Sequence, residues 1–183
     1  MRHDTQQSGV SAQTRRFSGS IQGMAKEPIR PPWSWNEQDF VAACTRCDAC
    51  IGACPNGIIV RSVDGFPEVD FIRGECTFCA DCVTACKPGA LVRAHAGSTP
   101  WLVKASITRS CLARNKTSCT ACAGSCSRGA VRFASRGGAS IPEIDKRACN
   151  GCGACIGFCP ESAIGMTAPA KPRSRTIAIP LKP

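Results

Sequence analysis

Cysteine carries the one residue pattern in this chain whose spacing points to chemistry. Cys44, Cys47, Cys50 and Cys54 stand at steps of three, three and four, and Pro55 follows at once. Three thiolates three residues apart let a short coil wrap one corner of an iron–sulfur cube, while a fourth, carried onto a helix start, points toward a neighbouring cube. Pro55 suits that turn, since its fixed φ fits a helix entrance where no N–H is lost. The small residues Ala49, Gly52 and Ala53 let backbone N–H groups come close to inorganic sulfide.

The pattern recurs. Cys76, Cys79, Cys82 and Cys86 repeat the spacing, with Pro88 displaced by one residue, and Cys149, Cys152, Cys155 and Cys159 repeat it again before Pro160. Between them lies a looser run, Cys111, Cys119, Cys122 and Cys126, with seven residues inside its first step and Ser127 in place of the closing proline. Cys47 to Cys79 is 32 residues and Cys119 to Cys152 is 33, so the runs form a duplicated pair of pairs. In paired ferredoxins the fourth cysteine of each run ligates the other run's cluster. Applied here, Cys44, Cys47 and Cys50 group with Cys86, and Cys76, Cys79 and Cys82 with Cys54. Likewise Cys111, Cys119 and Cys122 group with Cys159, and Cys149, Cys152 and Cys155 with Cys126. Four 4Fe-4S clusters are expected, or three if the looser run is vacant.

The elements that must position these ligands are short. Apolar runs follow each fourth cysteine: Ile58–Val60, Ala90–Val92, Ala130–Phe133 and Ala163–Met166. Pro67–Asp70 and Pro142–Asp145 precede the second and fourth runs, and these stretches between Gly and Pro read as strands of hairpins. A short helix over Asn36–Ala43 delivers the chain to Cys44. The fold class expected is α+β: a duplicated bacterial-type two-cluster ferredoxin fold, with short β-hairpins and short helices around iron–sulfur clusters. Its domains are residues 36–95 and 101–167. Residues 1–35 read as a mobile arm ending in a docking segment, and 168–183 as a solvated tail whose stretch Thr176–Leu181 could dock as an edge strand. Arg30-Pro31-Pro32-Trp33-Ser34-Trp35 is the docking segment, although its indoles could instead cover a thinly packed face.

Composition agrees with a metal-stapled chain. Sixteen of 183 residues are cysteine, aromatics are 5%, and tyrosine is absent, so burial alone supplies little stability. The formal charge of +10 counts every cysteine as neutral; four cubanes, each adding about −2, bring it near +2. A nucleic-acid role is therefore not called for. Disulfides and structural zinc are the other uses of so many cysteines. No apolar leader opens the chain, because Gly19–Pro28 after Arg15 and Arg16 is too polar, and no stretch is long and apolar enough to span a membrane. A soluble protein in a reducing compartment is expected. His3 and His95 read as surface residues, and Asp48 and Asp81 as caps for N–H groups in the ligand loops. Neither a nucleophile–base set nor a phosphate loop is present, and all-cysteine ligation leaves no open coordination position, so the chain does not read as an enzyme.

Arg15 and Arg16, the Arg30-Pro31-Pro32-Trp33-Ser34 segment and the Cys44-Thr45-Arg46-Cys47-Asp48-Ala49-Cys50 run together resemble the NapF family of ferredoxin-type accessory proteins of periplasmic nitrate reductase systems. The likeness extends through Cys111-Leu112-Ala113 and Cys149–Cys155. It implies a cytoplasmic protein that binds the precursor of the catalytic subunit NapA and assists its maturation before export. It also implies that the twin arginines belong to the family's amino-terminal pattern and are not an export signal. The alternative is a general electron-transfer ferredoxin feeding a reductase.

Overall fold

The computed structural model describes residues 28–167, so Arg15, Arg16, His3 and the expected edge strand at 176–181 lie outside it. Within it, no helix is long and apolar enough to cross a membrane.

The elements are few and short, as a chain tied down at its cysteines requires. Helix α1 spans Glu37–Ala43. Asn36 caps it, its side-chain oxygen accepting from the Asp39 N–H at 3.1 Å. Phe40 is α1's buried anchor, fully covered and tilted against Phe66 at 6.3 Å. Four further helices are single turns that each bury a cysteine: α2 (Ala49–Gly52), α3 (Asp81–Thr84), α4 (Ala121–Gly124) and α5 (Ala154–Gly157). Packing of α2 against α3, and of α4 against α5, pairs the runs within each half.

Three two-stranded antiparallel ladders complete the frame. β1 (Ile59–Arg61) pairs with β2 (Pro67–Val69), and β4 (Val131–Arg136) with β5 (Ala139–Ile144). These are the hairpins that the apolar runs pointed to. The third ladder is not a hairpin: β3 (Lys104–Ile107) pairs with β6 (Ile164–Thr167), about sixty residues on.

The first half closes in the same way with an unexpected partner. Ala90–Val92 has no neighbour within its own repeat. Leu91 bridges Ser34 instead, while the Trp35 N–H donates to the Ala90 carbonyl and the Val92 N–H to the Trp33 carbonyl. Residues 28–35 therefore form a strap fixed to the body, which corrects the expectation of a mobile arm for this part of the chain. Pro31 and Pro32 are fully buried and Trp33 is only 8% exposed, its indole N–H donating to the Ser98 carbonyl at 3.2 Å. Arg30 grips Glu37 at 2.6 Å, donates to the Pro67 carbonyl and lies over the Phe40 and Phe66 rings at 5.2 and 5.4 Å. Pro31, Pro32 and Trp33 are thus core residues. Trp35, 47% exposed, is the tryptophan of the pair that faces solvent.

Candidate iron–sulfur site

The sixteen cysteines gather in fours around four cavities. Cys44, Cys47, Cys50 and Cys86 line one of about 340 Å³, open mouth included. Cys54, Cys76, Cys79 and Cys82 line a second of about 360 Å³. In the other half, Cys111, Cys119, Cys122 and Cys159 line one of about 350 Å³, and Cys126, Cys149, Cys152 and Cys155 one of about 340 Å³. Each cavity thus takes three thiols from one run and one from the run paired with it. The exchange follows from the single-turn helices: Cys50 sits on α2 in the first cavity, and Cys54, one turn later, reaches the second.

The long first step of the third run has a local explanation. A 3-10 turn over Ala113–Asn115 reverses the chain, and Lys116 closes it in the left-handed region at φ 62°. The Asn115 side-chain amide donates to the Arg109 and Cys111 carbonyls at 2.9 and 3.0 Å, and the Thr117 N–H to the Leu112 carbonyl. Seven residues are thereby folded into a loop that returns to Cys119, and Cys111 joins Cys119, Cys122 and Cys159 despite its distance in sequence.

Three features test whether these donors fit an iron–sulfur cluster. First, every cysteine is a free thiol, and none is paired in a disulfide. Second, among the described residues no three Cys, His, Asp or Glu side chains converge closely enough for a single metal ion. A zinc site would need its sulfurs about 2.3 Å from one ion; these thiols ring a space instead. Third, the loops turn N–H groups inward. The residues flanking the second cysteine are left-handed in three runs: Arg46 and Asp48 (φ 57° and 60°), Phe78 and Ala80 (57° and 68°), Gly151 and Gly153 (79° and 88°). Successive residues of opposite hand form a concave nest of N–H donors suited to an anionic centre. The donor set and the nests fit a 4Fe-4S cluster. The third run departs from this pattern, since Thr120 has φ −130°.

Four of those left-handed residues carry a Cβ, and the conformation costs each about 1 kcal/mol. Ala80→Gly should therefore keep iron content unchanged and raise resistance to anaerobic denaturation by about 1 kcal/mol, read as a shift in the urea midpoint.

Electrostatics divides the thiols. Burial first, then the neighbouring Cys44 and Cys86 thiols, pushes Cys50 up to about 11. Burial likewise pushes Cys76 up to about 11 and Cys82 and Cys155 up to about 12, with nearby cysteines adding to the effect for the last two. At the rim, the Ala49 N–H and the Thr45 hydroxyl hold the exposed Cys47 below its ordinary value. The buried thiols thus keep their protons until a cation displaces them. Sulfur also accepts from the backbone: the Ala130 N–H donates to Cys126 Sγ at 3.3 Å and the Ala163 N–H to Cys159 Sγ at 3.2 Å. Such bonds tune a cluster's potential.

The remaining expected residues fare differently. Asp48 makes no capping bond and pairs with Arg61, and Asp81 opens α3 without capping it. The capping role is therefore corrected: Asp48, the left-handed N-cap residue of α2, turns to Arg61 instead, and Ala80, not Asp81, holds the N-cap position of α3. His95 is exposed beside the Ala96 carbonyl and lines none of the four cysteine cavities.

Comparison with known proteins follows the same lines. The 4Fe-4S dicluster domain family matches residues 43–90 and 117–170, one segment in each half. The Escherichia coli K12 ferredoxin-type protein NapF is 42% identical over 141 residues, which covers 76% of this chain and 85% of that protein. The Haemophilus influenzae ferredoxin-type protein NapF is 47% identical over 139 residues, covering 75% of this chain and 78% of that protein. A shorter likeness, 55% over 31 residues, links 17% of the chain to 14% of the methylamine utilization ferredoxin-type protein MauM of Paracoccus denitrificans. No solved structure matches. With four-cysteine cavities in both halves and relatives of this identity along three quarters of its length, the chain belongs to the NapF family of ferredoxin-type iron–sulfur proteins.

Proposed function

We propose that the chain holds four 4Fe-4S clusters, one in each four-cysteine cavity, on a duplicated two-cluster ferredoxin fold. We further propose that it binds the cytoplasmic precursor of the periplasmic nitrate reductase catalytic subunit NapA and assists its maturation before export. The single observation that carries the first part is the grouping of sixteen thiols into four sets of four. Family membership supports the second. In this reading the protein is not an enzyme: four cysteines per cluster leave no open coordination position for a substrate.

The partner surface is the groove beside the strap. Trp35, Val92 and Leu102 are exposed there at 47%, 41% and 57%, around an open space of about 1370 Å³ that Arg30 and Glu37 border. A half-exposed tryptophan in a concave site is the residue type most enriched in binding hot spots. Trp35→Ala should weaken capture of the NapA precursor at least tenfold in an anaerobic pull-down, with iron content unchanged. Equal capture by both forms would remove the groove from the reading.

Exposure of Cys47 and Cys79 favours a second reading, an electron carrier feeding a reductase, because it brings two of the cavities to the surface. Fast exchange with several acceptors and no stable capture of the precursor would decide for the carrier.

A further inference from the structure

The two halves meet where two cysteine loops touch. The Cys76 N–H donates to the Cys152 carbonyl at 2.8 Å, so a cysteine of one cavity is hydrogen-bonded to a cysteine of a cavity in the other half. An aromatic clamp holds this contact. Trp101 stands edge-on to Phe71 and Phe78, at 5.7 and 5.8 Å, and its indole N–H donates to the Asn150 carbonyl at 3.0 Å.

The glycines of the fourth run are explained by the same contact. A Cβ on Gly153 would come within 2.1 Å of Phe71 Cδ1, and one on Gly151 within 2.3 Å of the Val103 carbonyl oxygen. The equivalent left-handed positions carry Arg46 and Asp48 in the first run, and Phe78 and Ala80 in the second. Gly153 thus lacks a side chain where Phe71 of the other half lies against the loop, and Gly151 where Trp101 and Val103 of its own half do.

The four cavities therefore have an order. Within the first half, α2 supplies Cys50 to the outer cavity (Cys44, Cys47, Cys50, Cys86) and leads to Cys54 of the inner one (Cys54, Cys76, Cys79, Cys82). Within the second, α4 supplies Cys122 to the outer cavity (Cys111, Cys119, Cys122, Cys159) and leads to Cys126 of the inner one (Cys126, Cys149, Cys152, Cys155). The Cys76–Cys152 bond then joins inner to inner.

We infer that the Cys76–Cys152 contact, clamped by Phe71, Phe78 and Trp101 against Gly151 and Gly153, is an electron junction that puts the four cluster sites in one series running through both halves. This rests on the reading that each cavity holds a cluster. With clusters held in the cavities, the Cys76–Cys152 contact would supply the path by which one electron, delivered at either outer site by a low-potential one-electron donor, passes from inner site to inner site. The donor site is oxidised by one and the acceptor site reduced by one, with no proton and no bond change.

The test uses the full chain, loaded anaerobically, reduced with dithionite and read by electron paramagnetic resonance. Cys47→Ala with Cys119→Ala removes one ligand from each outer site and leaves both inner sites whole. Iron should fall from about sixteen to about eight per chain, and the remaining signal should be broadened by spin–spin interaction between two neighbouring centres. Eight irons with two independent, unbroadened signals would overturn the junction. Phe71→Ala, at a residue that lines none of the four cysteine cavities, is the second variant. Added to the Cys47→Ala, Cys119→Ala chain, it should leave iron at about eight while removing the broadening between the two inner sites, and an unchanged spectrum at the same iron content would overturn the inference. Wild-type chain that never loads beyond about eight irons would overturn the four-cluster reading itself, and the junction with it.

Discussion

Stripping the iron from the loaded chain abolishes its tertiary structure. The brown colour, the near-ultraviolet dichroism of the tryptophans and resistance to protease should disappear together on treatment with an iron chelator. The reason lies in what remains. Among the described residues, Phe40, Ile58 and Met166 are the largest fully buried side chains besides three prolines, and the core around them is completed by cysteines. Helices α2 to α5 are single turns that cannot persist alone. The expected loss is the whole folding free energy, about 5–15 kcal/mol. A colourless, iron-free chain with native near-ultraviolet dichroism would contradict it.

The raised thiols set the pH dependence of that equilibrium. Cys50 at about 11, and Cys82 and Cys155 at about 12, stand above their ordinary value of 9.0, so in the metal-free fold their neutral forms are favoured. Iron must displace the same protons, so loading releases acid and slows as pH falls. A pH-stat trace during anaerobic reconstitution measures that release directly.

The second large effect concerns which thiols act together. If each cavity holds one cluster, removing two cysteines of the same cavity costs no more than removing one. Cys44→Ala with Cys86→Ala, residues about forty apart that share a cavity, should lose one cluster, lowering iron from about sixteen to about twelve. Cys44→Ala with Cys54→Ala, from one run but different cavities, should lose two and reach about eight. The reverse order would mean that each run holds its own cluster. Iron and sulfide assays on anaerobically purified protein separate the two cases, and the pairwise comparison cancels any general weakening from a lost ligand.

How much of this was legible beforehand depended on the range of the contact involved. The cysteine spacing, the short helix expected over Asn36–Ala43, and the two hairpins are local features, and the structure has them within a residue or two of where residue types place them, with Asn36 as the helix cap. β3 went unread because its partner, β6, lies about sixty residues away, and Lys104–Ile107 has no turn signal joining it to that partner. Trp33 was ambiguous for the same reason: residues 98–100, which cover it, belong to a segment that reads as a plain loop. Asp48 looked like a cap until Arg61 from β1 came within reach. Gly151 and Gly153 carried a signal that was available, a difference from the first two runs at equivalent positions, but its meaning needed distant neighbours: Trp101 and Val103 for the first, and Phe71 of the other half for the second.

The strap has a consequence for biosynthesis. Ser34 waits for Leu91, and Trp33 waits for Ser98 and Pro100. The amino-terminal lobe cannot seal until the segment that leads into its sibling has emerged from the ribosome, by which time both of its own thiol runs are already outside. For that interval the nascent lobe stands ajar, with its ligands reachable by whatever machinery delivers iron and sulfide, and closure follows translation of the connector.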